Sequence, residues 1–219
     1  MTADPTFWNN IAEKYARTPV TDPEAFERKI AVMKARMTPT DTVLDVGCGT
    51  GSLALRLAPF AAHVHGLDLS PEMVRIARGK AADHGAANVS FHTGAFDETF
   101  TTFADGSLHG LCACSILHLV EDRAASLAHM YRLLEPGGFL VTSTACLGES
   151  WVPYTPILRA MYWVGKAPRV WVFSKQTLID EIRAAGFVDI ESPDVGAKAE
   201  LGFIVARVPL TSARGSADT

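Results

Sequence analysis

Asp45 and Asp68 are the acids whose surroundings most invite chemistry in this chain of 219 residues. Asp45 lies in Val43-Leu44-Asp45-Val46-Gly47-Cys48-Gly49-Thr50-Gly51, an apolar strand running into three alternating glycines and then into a helix. Such a turn lets the backbone approach a ligand with no side chain in the way. The dinucleotide fingerprint G-x-G-x-x-G wants glycine where Ser52 stands, and a carboxylate beside the turn repels a pyrophosphate. A ligand with a positive group has the opposite preference, which makes Asp45 an asset. Asp68 ends the next strand candidate, 17 residues beyond Gly51, where an acid can accept from both hydroxyls of a ribose. Leu69 and Met73 flank the helix start Ser70-Pro71-Glu72 and offer an apolar wall for an adenine ring.

Regular elements must hold these acids in place. Asp4-Pro5 and Asp22-Pro23 each set a capping side chain before a proline suited to the first helical position, where its missing N–H costs nothing. Two N-terminal helices follow, with Phe7, Trp8, Ile11 and Tyr15 near one face of the first and Phe26, Ile30, Met33 and Met37 on the second. From Asp41 the pattern turns to short apolar runs, giving strand candidates at residues 42–46, 63–67, 89–93, 108–113 and 139–143. Helical stretches at 51–57, 70–84 and 122–134 separate them, the last stopped by Pro136-Gly137-Gly138. This alternation predicts a parallel sheet covered on both faces. Ser174 caps a further helix that ends at Gly186, and residues 187–190 and 201–208 read as closing strands, antiparallel because their connection is short.

Composition narrows the partners. Lys plus Arg total 20 against 24 for Asp plus Glu, a net charge of -4, with no basic cluster fit for a phosphate backbone, so no nucleic-acid partner is expected. Residues 1–10 lack a positive flank followed by an apolar run, and the longest apolar stretch, around 111–120, is too short for a transmembrane segment. A cytoplasmic protein is expected. Cys48, Cys112, Cys114 and Cys146 show no CxxC spacing and read as core thiols in a reducing compartment. His63 and His65, the close pair among seven histidines, fall in an alternating strand segment, so no metal site is expected.

The segments VLDVGCGTG (43–51), GLDLSPEM (66–73), FADGSLHGLCACSILHLV (103–120) and LLEPGGFLV (133–141), in this order and spacing, resemble the class I S-adenosylmethionine-dependent methyltransferases. The likeness is to the broad group that includes the ubiquinone and menaquinone biosynthesis enzymes. The resemblance covers about residues 40–145, and the FWNNIAEKY run at 7–15 also resembles the family's first helix. It implies a Rossmann-like α/β fold: a seven-stranded, mostly parallel sheet with helices on both faces, the last strand antiparallel, an N-terminal helical cap over residues 1–40 and a helical insertion after the fifth strand. It implies S-adenosyl-L-methionine as cofactor. Asp45 would lie near its ammonium group, Gly47, Cys48 and Gly49 along its methionine and ribose portions, and Asp68 on the ribose hydroxyls. Leu69 and Met73 would flank the adenine, and Tyr15 would reach the methionine end. Where the family commonly has Gly-Asp-Ala, this chain has Gly94-Ala95-Phe96-Asp97. Ala95 cannot accept from the adenine amino group, which leaves two arrangements: Asp97 substitutes, or the backbone of Ala95 and Phe96 holds the ring. Cys114 and Ser115 would lie beside the methionine part, and His118 at or beyond the methyl, as a candidate general base or acceptor-orienting group.

The whole is read as one methyltransferase domain over residues 1–210, with a disordered tail at 211–219, moving a methyl group to an oxygen, nitrogen or carbon of a small apolar or ring-containing acceptor. Residues 148–173 hold Trp151, Tyr154, Tyr162, Trp163 and Trp171, with a helix starting at Thr155-Pro156 and stopping at Gly165. An aromatic helix with few charges is not left bare in water, so a substrate lid, a homodimer interface and a membrane-surface contact are its open uses, the lid being favoured. Two other functions compete: a non-catalytic cofactor-binding protein on the same fold, helped by Ala95, and a nicotinamide-dependent oxidoreductase, opposed by Ser52 and Asp45.

Overall fold

The computed structural model describes residues 4–211, and most of the tail segment lies outside them. Seven strands form one sheet in the order β3-β2-β1-β4-β5-β7-β6: β1 (Thr42–Val46), β2 (His63–Asp68), β3 (Val89–Thr93), β4 (Leu108–Cys114), β5 (Leu134–Ala145), β6 (Val188–Glu191) and β7 (Leu201–Arg207). Strands β1 to β5 pair in parallel, while β7 runs antiparallel to both β5 and β6. The expected α/β fold, including its antiparallel last strand, is what forms.

Side chains alternate across β1 because successive residues of a strand point to opposite faces. Val43 packs with α2 (Pro23–Lys34), α3 (Ser52–Leu57) and α4 (Pro71–Asp83) through Ile30, Met33, Leu53, Leu57 and Val74. Leu44 and Val46 belong to the opposite cluster, with Leu127, Met130 and Leu133 of α5 (Arg123–Leu133) and Leu178 and Ile182 of α7 (Lys175–Ala184). Asp45, by the same alternation, faces the side of α2 to α4. Cys112 and Cys114 on β4 share that face, since Asp45 is in register with Cys112.

The start signals act through side-chain caps. Asp22 accepts from the Ala25 N–H, Ser70 from Met73, Asp122 from Ala125 and Ser174 from Thr177, each offsetting a helix-end donor that has no partner of its own. At α1 (Thr6–Arg17) the expectation shifts by one residue: Pro5 takes the cap position, and the Asp4 carboxylate accepts from the Thr6 N–H at 2.9 Å. Strand β5 begins at Leu134, paired with Leu108, so Pro136-Gly137-Gly138 is an irregularity within the strand and not a loop before it. The two N-terminal helices dock differently. Helix α1 docks on the start of α4, where the Ser70 hydroxyl donates to Asn9 Oδ1 at 2.6 Å and Arg75 pairs with Glu13 at 2.6 Å, whereas α2 joins the core on one face of the sheet through Ile30 and Met33.

On the outer strands His63, His65 and His92 stack beside Phe103, with His65 Nδ1 3.2 Å from His92 Nε2. Burial, with His63 and His92 adding to it, pushes the His65 imidazole down to about 4. Below pH 6.5 the unfolded chain therefore takes up a proton that the folded chain refuses, and stability falls as pH drops towards 4. In urea titrations His65→Gln is expected to lose less stability than the parent between pH 6.5 and 4.5. An identical decline in both proteins would contradict this.

Candidate active site

The carboxyl ends of β1 and β4 meet where the strand order reverses, the place where open α/β sheets form a ligand crevice. Three glycines make the turn after β1 possible. Gly47, Gly49 and Gly51 have φ of +71°, +53° and +77°, a region that L side chains resist, and a Cβ on Gly51 would lie 2.7 Å from the Phe91 ring. The Gly47 and Cys48 N–H groups both donate to the Leu67 carbonyl, at 2.8 and 3.0 Å, tying the loop to β2. The Cys48 side chain turns into the core over Gly66, so at this loop Cys48 offers backbone only.

Asp45 is buried to 1% exposure, and its Oδ2 has no hydrogen-bond partner; among the described residues only Thr142 Oγ1 shares that state. Burial, reinforced by the nearby Asp68 charge, pushes the Asp45 carboxyl up to about 8. A lone carboxylate in this place calls for a cation. Asp68 is anchored differently: Oδ2 accepts from the Gly49 N–H at 2.8 Å and Oδ1 from the Ser70 N–H at 2.9 Å. Burial raises its pKa and these two bonds oppose the rise. A carboxylate has about four lone-pair sites. One contact per oxygen fixes the carboxylate's orientation and leaves a site on each, the arrangement that suits a vicinal diol.

Tyr15 of α1 crosses above the loop, 3.6 Å from where a Cβ on Gly49 would be, and desolvation together with Asp68 and Asp45 raises its phenol. Leu69 is half-buried and offers surface, whereas Met73 is 2% exposed and offers almost none in this conformation. Ala95 and Phe96 follow β3, the Phe96 ring packing on Phe100 and His129. Asp97 is exposed and occupied, its Oδ1 accepting from the Thr99 N–H at 2.9 Å and the Thr99 hydroxyl at 2.6 Å. It closes its own loop.

At the end of β4, Cys114 is half-buried with its thiol pushed up to about 12 by burial and by Asp45. Ser115 is exposed with φ of +59°, a strained conformation for a residue with a Cβ, held by its N–H to the Ser143 carbonyl at 2.6 Å. Ile116 then lies over Gly47, joining the two loops. His118 Nδ1 meets the Thr144 hydroxyl at 2.9 Å, and its carbonyl accepts from the Trp171 N–H at 2.8 Å. Burial pushes the His118 imidazole down to about 4. Nothing in the sequence singles out Lys29. Half-buried on α2, it lies within electrostatic reach of Cys114, with burial lowering its pKa.

Residues 43–138 match the family described as "Methyltransferase domain". A demethylmenaquinone methyltransferase of Chlorobaculum parvum is 35% identical over 176 residues, covering 78% of this chain and 62% of the relative. The chain carries a methyltransferase domain over residues 43–138 that is similar to the S-adenosylmethionine-dependent methyltransferases. The ubiquinone/menaquinone biosynthesis C-methyltransferase UbiE of Geotalea daltonii is 35% identical over 118 residues, 52% of this chain and 49% of its own. The chain thus spans about half to three fifths of the length of these relatives. The YcgJ protein of Bacillus subtilis superposes with a TM-score of 0.71 at 17% identity, covering 84% of this chain and 99% of that one, which speaks to the fold alone. The cofactor of such a domain carries an ammonium group, a sulfonium and a ribose diol, and the residues present fit it: Asp45 Oδ2 lacks a cation and Asp68 has acceptor sites to spare.

The unpartnered acid has a cost in the ligand-free methyltransferase domain. Between pH 4 and 8 the folded chain keeps the Asp45 proton and the unfolded chain does not, so this group's effect on stability worsens as pH rises towards 8. Asp45→Asn is expected to be more stable than the parent in urea denaturation at about pH 9, with the gap narrowing towards pH 4. Equal stability at the higher pH would contradict the burial of a lone carboxylate.

Proposed function

We propose that the protein is an S-adenosylmethionine-dependent methyltransferase acting on a small, ring-containing acceptor of the quinol type. The observation that carries the reading is the pairing of the buried, unpartnered Asp45 oxygen with an Asp68 carboxylate already oriented by Gly49 and Ser70. Demethylmenaquinone and ubiquinone/menaquinone pathways are named for the two relatives above, which supports the ring-containing acceptor.

S-adenosylmethionine supplies, when bound, a sulfonium methyl that passes to a nucleophile while the C–S bonding pair stays on sulfur. Asp45 holds the ammonium group as an ion pair, and Asp68 takes the two ribose hydroxyls. Gly47, Cys48 and Gly49 present backbone to the methionine and ribose portions. Tyr15 and α1 close over them and keep water out. The Ala95 and Phe96 backbone and the Leu69 side chain hold the adenine, because Asp97 is engaged with Thr99. Cys114 and Ser115 line the methionine side, and residues 166–173, fastened by Trp171 to the His118 carbonyl, wall the acceptor.

His118 faces the acceptor as a neutral imidazole. With its pKa pushed down to about 4 it holds a proton poorly at pH 7, which suits a hydrogen bond that orients the nucleophile better than storage of a proton. Lys29, half-buried on α2 and within electrostatic reach of Cys114, provides positive charge for an acceptor oxygen that becomes or remains anionic.

Asp68→Ala is expected to weaken S-adenosylhomocysteine binding about 100-fold or more by calorimetric titration, the loss of two hydrogen bonds to a charged acceptor. Unchanged affinity would refute the site. Lys29→Met is expected to raise the acceptor KM about tenfold with S-adenosylhomocysteine affinity unchanged, one charge-assisted contact being removed. With a demethylquinol as acceptor, no methyl transfer by the parent protein would refute the substrate class.

A further inference from the structure

Helix α6 (Tyr154–Trp163) buries none of its residues against the rest of the chain. It is therefore not folded down as a lid. Trp151 is 93% exposed and Trp163 82%, with Tyr162, Val164, Ile157 and Met161 also open to solvent. Its charge is as unusual as its apolarity. Residues 150–179 contain Arg159, Lys166, Arg169 and Lys175 and no acid, while all 24 acidic residues of the chain lie elsewhere against 16 basic ones. Arg159 and Lys166 are exposed. Arg169 stacks on the Trp171 ring, 4.3 Å from its centroid, and so fixes the base of the segment near His118.

We propose that α6 and its flanks form a docking surface for an anionic lipid bilayer. The occupant follows from chemistry. Tryptophan and tyrosine have an apolar body and a polar edge that suit the boundary between headgroups and acyl chains, and basic side chains beside them are drawn to anionic headgroups. A ten-residue helix is about 15 Å long, half the thickness of a hydrocarbon core, so it lies in the interface and does not cross it. No helix among the described residues is long and apolar enough to cross a membrane. The remaining surface is acidic overall and is repelled by the same bilayer, which orients the molecule with α6 downwards. Because Trp171 joins this segment to His118, the acceptor side of the site faces the bilayer and can draw its substrate from it. That last consequence rests on the methyltransferase reading; the docking does not.

The test is flotation of the full chain with vesicles of neutral phosphatidylcholine, with and without about 30% phosphatidylglycerol. Binding is expected only to the anionic vesicles, weakening with salt and accompanied by a blue shift of tryptophan emission. The Trp151→Ser/Trp163→Ser pair and the Arg159→Glu variant are each expected to lower binding severalfold, up to about tenfold, leaving S-adenosylhomocysteine affinity unchanged. Failure to bind anionic vesicles, or equal binding to neutral ones, would overturn the proposal without touching the cofactor site. A dimer in solution broken by the tryptophan pair would assign the face to a second copy, and a blue shift on adding acceptor without vesicles would assign it to a lid; either result overturns the proposal.

Discussion

A carboxylate sealed inside a protein must find a cation, gather donors or keep its proton. Asp45 has no donor at Oδ2 and Asp68 nearby, so in the ligand-free chain it keeps its proton well into the neutral range. The structure around it serves to hold that acid in place. β1 is an interior strand of the sheet, flanked by β2 and β4, with buried aliphatic side chains on both faces, so Asp45 cannot swing out to water. The glycine turn that follows leaves space where side chains would stand, and the Leu67 carbonyl fixes its course.

The same constraint relates stability to function. A ligand-free domain would gain by replacing Asp45, and a domain that binds an ammonium group cannot afford to. Other features at the same end of the sheet fit this picture: Ser115 in a left-handed conformation, Ile116 lying over Gly47, and two acids within reach of a tyrosine. Local strain of this kind persists only when neighbouring packing over-determines it, and here two core clusters, one on each face, do so.

Much of this was legible in the sequence because it is local. Strand β1 at residues 42–46, the caps Asp22, Ser70 and Ser174, and the antiparallel closing pair all follow from patterns a few residues long. Asp45 and Asp68 could be singled out because their chemistry is set by a turn beside them. Lys29 could not, since Cys114, within its electrostatic reach, is 85 positions away and only the packing of α2 on the sheet brings them near each other. Nor could the burial of Met73, which depends on the packing around α4. Asp97 did carry a readable signal. An aspartate two positions before a threonine, in a loop, is an Asx turn, and the structure uses it so. The aromatic helix after β5 was readable as an element but not in its use, because an apolar face does not say whether protein, substrate or lipid will cover it.

We propose that Asp45 waits, protonated, for the cofactor's ammonium group. Counting protons tests it: S-adenosylhomocysteine is titrated calorimetrically at pH 7 in buffers of different ionisation enthalpy, for the parent and for Asp45→Asn. Release of about one proton by the parent and none by the variant is expected, since an ammonium beside the carboxyl drives its proton off. Equal proton release by the two proteins, or none by the parent, would contradict it.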